Sequence, residues 1–139
     1  MKPKISGNRY VLAVNNLVNS VDFYKSKLDF QTLWEGGGWH FLVRDSVKLM
    51  LGECPDDKPA SEINCHSYFA YWEAENIDEL YNECQSKKID ILSSIENKPW
   101  GQREFSIRTI DGHRITLGEE ISSQSFEKYI EEVNTNQPA

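Results

Sequence analysis

Leu49-Met-Leu-Gly-Glu53 returns as Ile115-Thr-Leu-Gly-Glu119, an offset of 66 (115 against 49). Each stretch alternates apolar and other residues, the period of a strand with one buried face, and ends on the same Leu-Gly-Glu. Working outward, Phe41-Leu-Val-Arg44 lines up with Phe105-Ser-Ile-Arg108 at an offset of 64 (105 against 41). Residues 9–17, RYVLAVNNL, line up with 69–77, FAYWEAENI, at 60 (69 against 9). The offset only grows along the chain, as it does when a module is duplicated and later loops lengthen.

Both copies predict the same order of elements. In the first, Leu12 and Val14 alternate with Arg9, Val11 and Ala13 in a strand. A helix follows over about residues 18–28, with Val21, Tyr24 and Leu28 at helical spacing and Asn16 or Asn19 as its N-cap. Strands are expected over 31–35, 39–44 and 47–52, separated by the Gly36-Gly-Gly38 and Asp45-Ser46 turns. The second copy predicts a strand over 68–74, a helix over 77–87, and strands over 89–93, 103–108 and 114–118. The fold class is therefore α+β: two βαβββ modules, plus a C-terminal helix. The expected divisions of a single domain, 1–139, are a first module at 7–53, a linker at 54–66, a second module at 67–120 and a closing helix at 121–133.

The 139 residues suffice for one domain with its own core. Fifteen basic against 22 acidic residues leave a net charge of −7, which disfavours nucleic acid and anionic membrane as partners. No apolar run reaches the roughly 20 residues of a membrane span, and the first eight residues do not read as a signal peptide. Cys54, Cys65 and Cys84 form an odd set without CxxC spacing. That pattern implies reduced thiols, a cytoplasmic setting and no cysteine zinc site.

Pro99-Trp-Gly-Gln-Arg-Glu-Phe105, followed by Asp111-Gly-His-Arg-Ile-Thr-Leu-Gly-Glu119, resembles the PWG-x-REF … DGxxxxxGE pattern of bleomycin-resistance-like proteins. These belong to the vicinal oxygen chelate superfamily, with glyoxalase I and the extradiol dioxygenases. Phe23-Tyr24 … Leu28-Asp-Phe30 is similar to that family's FY…LGF, with Asp29 in place of glycine. The resemblance spans about residues 7–120 and implies that the two modules form cupped mixed sheets and that the chain is a homodimer. In the family's enzymes, a divalent metal is held by His or Glu from the first and last strands of each module. Carried over, those positions fall on Arg9, Met50, Phe69 and Thr116. Arginine cannot give up its proton to ligate a cation, phenylalanine has no lone pair, methionine is soft and a lone threonine is poor. The expectation is no metal and no cofactor. His40, His66 and His113 lie off these positions and read as surface or turn histidines, with an unfamiliar metal site as the alternative.

Strand alternation places Leu12, Val14, Leu49, Leu51, Ala70, Trp72, Ile115 and Leu117 in the core. The opposite faces carry Arg9, Met50, Phe69, Tyr71, Glu73 and Thr116, the expected ligand-binding lining of a concave cleft, and the resemblance implies that the loop carrying Trp100, a further expected ligand contact, lies near its mouth. Phe69 and Tyr71 suit stacking on a planar or cationic ligand. Glu73 suits a ligand cation or an internal pair with Arg9. Trp39 reads as core or subunit interface. The resulting expectation is a binding protein that sequesters a small aromatic or cationic compound. The alternatives are a lyase or dioxygenase relative with a displaced metal site, and a non-catalytic metabolite-sensing domain.

Overall fold

The computed structural model describes residues 2–121 together with 131, 134 and 135. The expected closing helix over 121–133 lies, but for Ile121 and Glu131, outside the described residues. The first compact unit, residues 1–64, holds β1 (Tyr10–Val14), α1 (Leu17–Leu28), β2 (Gln31–Gly36), β3 (Trp39–Arg44) and β4 (Val47–Glu53). The second unit, residues 65–139, holds β5 (Tyr68–Glu73), α2 (Ile77–Ser86), β6 (Asp90–Asn97), β7 (Gln102–Arg108) and β8 (Arg114–Glu120). Each forms a four-stranded cupped sheet, in the orders β1-β4-β3-β2 and β5-β8-β7-β6. The first and last strands of a module run parallel, and the other neighbours are antiparallel. The repeat in sequence is thus a repeat in topology. No helix among the described residues is long and apolar enough to cross a membrane.

The cores follow the alternation. Leu12, Val14, Leu49 and Leu51 are buried in the first unit, and Trp72, Ile115 and Leu117 in the second, with Ala70 half-buried. Helix α1 adds Phe23, Tyr24 and Leu28, and α2 adds Ile77 and Cys84. Asn16 caps α1 by accepting the Asn19 N–H at 3.1 Å. At the other end Asp29 adopts φ 56°, the left-handed conformation for which glycine is the usual choice. This explains the glycine that stands there in the family pattern.

Two expectations are corrected. Strand β6 runs four residues further than residue 93, because register shifts between Ile91 and Ser93 and between Ser93 and Glu96 break the alternation that marks a strand in sequence. In the middle strands the true repeat offset is 65, not 64: Phe41 faces Met50 and Ser106 faces Thr116, whereas Phe105 faces Leu117 as His40 faces Leu51. A one-residue slip exchanges the faces of a strand. Phe41 therefore lies on the open face while Phe105 is buried against the Tyr81 ring, with centroids 5.0 Å apart.

The shared Leu-Gly-Glu ends do structural work at the helix starts. Glu53 Oε2 accepts the Leu17 N–H at 2.8 Å. Glu119 accepts the N–H groups of Asn76 at 3.1 Å and Ile77 at 3.2 Å. A carboxylate there satisfies orphan amides and faces the positive end of the helix dipole. Helix α1 also has its Asn16 side-chain cap, but Asn76 sits at φ 57° and makes no side-chain cap bond. Glu119→Ala is therefore expected to destabilise by about 1 kcal/mol, the scale of a lost N-cap, and Glu53→Ala by less. Thermal melts of the two variants check the order; an equal or larger loss in Glu53→Ala would contradict it.

Candidate functional site

The open face of each sheet is the one its helix does not cover. In the first unit, β1 contributes Val11 and Ala13, β4 contributes Met50 and Gly52, and β3 contributes Trp39 and Phe41. Trp34 of β2 stands beside Phe41, with ring centroids 5.2 Å apart. Trp39 lies across Gly52, where an added Cβ would come within 3.0 Å of its ring. This face is apolar and aromatic. Trp34, Trp39 and Phe41 belong with Met50, and only Met50 was expected there. The signal that could have found two of them is the in-phase pair Trp39 and Phe41 on a strand paired with Met50. Trp39 is a substantially exposed face residue rather than core. Arg9 lies one residue before β1 and is exposed.

The second unit presents a polar counterpart. The hydroxyl end of Tyr71 in β5 lies over Gly118 of β8, where an added Cβ would collide with the phenol oxygen. Its hydroxyl reaches β7, donating to Glu104 Oε2 at 2.8 Å and approaching Gln102 Oε1 at 3.2 Å. Burial, then the hydrogen bond to Glu104 and the charges of Glu104 and Glu73, push the Tyr71 phenol well above its ordinary range. It therefore remains a donor. Thr116 is half-buried, and its hydroxyl shares a 2.9 Å hydrogen bond with Ser106. Glu73 is exposed at the end of β5. Trp100 is exposed in the turn before β7, with Lys98 Nζ 5.8 Å from its ring centroid.

Phe69 departs from its expected face. A bulge in β5 pairs Tyr68 with Arg114 and Ala70 with Ile115, leaving Phe69 without a ladder partner. Its ring instead packs edge-on against Trp72 at 6.2 Å and His113 at 5.6 Å. Tyr68 takes the pairing position, with the Arg114 guanidinium 5.2 Å from its ring centroid. Two histidines are also corrected: His40 and His113 are buried, and only His66 is exposed.

The residues at the family's metal positions do not fit a divalent cation. Arg9 carries the wrong charge, Phe69 packs on Trp72 and His113, the Thr116 hydroxyl is bonded to Ser106, and Met50 stands among apolar side chains. Among the described residues, no three His, Cys, Asp or Glu side chains are grouped to hold a metal ion.

The Glyoxalase/Bleomycin resistance protein/Dioxygenase superfamily model matches residues 7–117. The chain belongs to this superfamily. It is 28% identical over 127 residues to a bleomycin resistance protein of Geobacillus stearothermophilus, covering 81% of this chain and 95% of that protein. Among solved structures, it resembles a bleomycin resistance determinant encoded on the transposon Tn5, with TM-score 0.69 and 20% identity over 84% of this chain and 98% of the other. It likewise resembles a lactoylglutathione lyase from Agrobacterium tumefaciens, with TM-score 0.65 and 19% identity over 85% and 96%. These structural likenesses concern the fold, which proteins titled for resistance and for catalysis share.

Two outcomes follow from the geometry. Gly118→Ala is expected to push the Tyr71 ring off the sheet and cost about 1.5–3 kcal/mol, the range of a lost hydrogen bond to a charged group. In the Tyr71→Ala background the same substitution is expected to cost nothing, so a double-mutant cycle by denaturant unfolding would read a large coupling; additive effects would refute the packing. The second outcome concerns His113, whose buried Nδ1 has no hydrogen-bond partner among the described residues. Burial lowers its pKa, opposed by the Asp111 charge. Above about pH 6.5, the imidazole is neutral in both native and unfolded chains. Below it, the unfolded chain takes up a proton that native His113 resists, so stability falls as pH falls. His113→Phe is expected to flatten the fall in melting temperature between about pH 6.5 and roughly pH 5; parallel curves for both proteins would contradict this.

Proposed function

We infer that the chain is a small-molecule binding protein of the bleomycin-resistance type, which sequesters an aromatic or cationic compound without changing it. The observation that carries this reading is the contrast between the metal positions and the open faces. Arg9, Met50, Phe69 and Thr116 cannot replace a His/Glu ligand set, while the faces around them carry exposed aromatic rings and carboxylates. Trp34, Trp39 and Phe41 offer rings to a planar group. Tyr71, Glu73 and Glu104 offer a ring edge and negative charge to a cation. Exposed aromatic surface of this kind is a common mark of a ligand or partner site. The proposed ligand-binding set is Arg9, Met50, Phe69, Tyr71, Glu73, Trp100 and Thr116, joined now by Trp34, Trp39 and Phe41. Phe69 contributes by backing the face rather than by projecting from it. The proposal includes a single-domain, cytoplasmic homodimer that carries no metal or cofactor.

Bleomycin is the first probe to try, since the Geobacillus relative is a bleomycin resistance protein. It is expected to quench tryptophan fluorescence at a fixed stoichiometry and to be recovered unchanged. Trp100→Ala is expected to weaken binding several-fold to about tenfold, the scale of a lost aromatic contact of roughly 0.5–1.5 kcal/mol. Glu73→Gln is expected to weaken a cationic ligand and leave a neutral one nearly unaffected. Elemental analysis of protein purified without chelators accompanies the titration. A stoichiometric divalent metal, or chemical conversion of the ligand, would sink this reading in favour of the metalloenzyme.

A further inference from the structure

The buried histidine of the first unit is held in a relay that ligand binding on the open face does not use. His40 Nε2 lies 2.8 Å from Thr32 Oγ1, and His40 Nδ1 lies 3.3 Å from Glu35 Oε2. A carboxylate beside Nδ1 is an acceptor and favours the tautomer that carries the ring hydrogen there. Nε2 is then left with its lone pair toward the threonine hydroxyl. The sequence of contacts is hydroxyl, imidazole, carboxylate, the arrangement in which a base activates a hydroxyl and a third group orients the base.

The backbone brings this set together by an irregularity. Thr32 and Glu35 are three residues apart on β2 and would point to opposite faces of a regular strand. The register of β2 against β3 shifts between Thr32 and Trp34, pairing Thr32 with Leu42 and Glu35 with His40 while Leu33 has no partner. The bulge turns both side chains to the face of His40, the side of Leu42 and Leu51 and away from Trp34, Phe41 and Met50. Bulges commonly re-aim a side chain beside an active site. The imidazole is buried, whereas Thr32 and Glu35 are exposed on an edge strand. Thr32 thus stands at the surface with its base behind it.

We propose that Thr32 is a base-activated nucleophile that accepts acyl groups from activated esters. The Thr32 oxygen bonds to the acyl carbon as its proton passes to His40 Nε2. The bond from that carbon to the leaving oxygen breaks, and the leaving oxygen receives the proton from His40. Water then attacks the acyl-threonine, its proton passing through His40 to the Thr32 oxygen as the carboxylic acid departs. Thr32 and His40 are the catalytic residues, and Glu35 is a positioning residue. Because a threonine hydroxyl is a weak nucleophile, the substrate class is an ester whose alcohol leaves readily.

The test is p-nitrophenyl acetate with the full chain at neutral pH, following p-nitrophenolate release and locating acetyl groups by peptide mass spectrometry. Cys65 and His66 are exposed and react with such esters on their own, so Cys65→Ser with His66→Ala is the parent protein. Acetyl is expected on Thr32. Its formation is expected to slow on the order of 100-fold in His40→Gln, the usual scale of a lost general base. Glu35→Gln lies on the exposed strand and examines the relay without disturbing the core. It is expected to slow Thr32 acetylation and change its pH profile at an unchanged melting temperature. A rate of p-nitrophenolate release that is the same in Thr32→Val as in the parent would overturn the proposal. So would Thr32 acetylation whose rate and pH profile are the same in Glu35→Gln.

Discussion

Parallel pairing of the first and last strands is the constraint on which each module depends. Parallel partners end at the same edge of the sheet, so β4 delivers its last residues beside the point where β1 turns into α1. The helix begins there with unpaired amides. The last-strand glutamate meets those amides: Glu53 at Leu17, and Glu119 at Asn76 and Ile77. The preceding glycine leaves room for a ring on the open face, Trp39 over Gly52 and Tyr71 over Gly118. The leucine before it fills the core. Three adjacent residues therefore join the helix, the open face and the core at one place, which is why Leu-Gly-Glu reads alike in both copies.

The other residues of the family pattern have comparable duties. Arg103 reaches from β7 to Asp78 in the first turn of α2, with its nearest contact at 2.8 Å, and holds that carboxyl below its usual range. Glu104 receives the Tyr71 hydroxyl, and Phe105 fills the core against Tyr81. Gly101 and Gly112 take positive φ in the turns that flank β7. The residues that carry the resemblance thus assemble the module, and a likeness through them conveys architecture more strongly than ligand identity.

Alternation made the strands, the module order and the core readable in sequence, because each strand buries one face and its side chains have period two. What alternation cannot show is an inserted residue. The β5 bulge turned Phe69 toward His113, the β2 bulge brought Thr32 to His40, and the irregular register of β6 hid half that strand. The buried histidines were missed for a related reason. His40 occupies the position that Phe105 fills in the second copy, and an alignment displaced by one residue assigned it to the surface. The exposed side of the site was legible in part: Tyr71, Met50 and Thr116 lie where parity puts them, but the hydrogen bonds that occupy Tyr71 and Thr116 depend on cross-strand neighbours that only a correct register identifies.

With the register fixed, the two open faces can be compared position by position. Val11 corresponds to Tyr71, Trp39 to Glu104, Phe41 to Ser106 and Met50 to Thr116. The backbone is repeated while the side chains exchange apolar for polar at every one of these places. A sheet needs no such divergence to fold, since these side chains project away from the cores. The divergence gives one chain two chemically different open faces, one of rings and one of hydroxyls and carboxylates. Both are ordered by packing: Trp39 rests on Gly52, and Tyr71 is fixed at both ends by its strand and by Glu104. Side chains already ordered in this way lose less freedom on binding, so in the proposed binding role the glycines beneath these rings would favour affinity as well as folding.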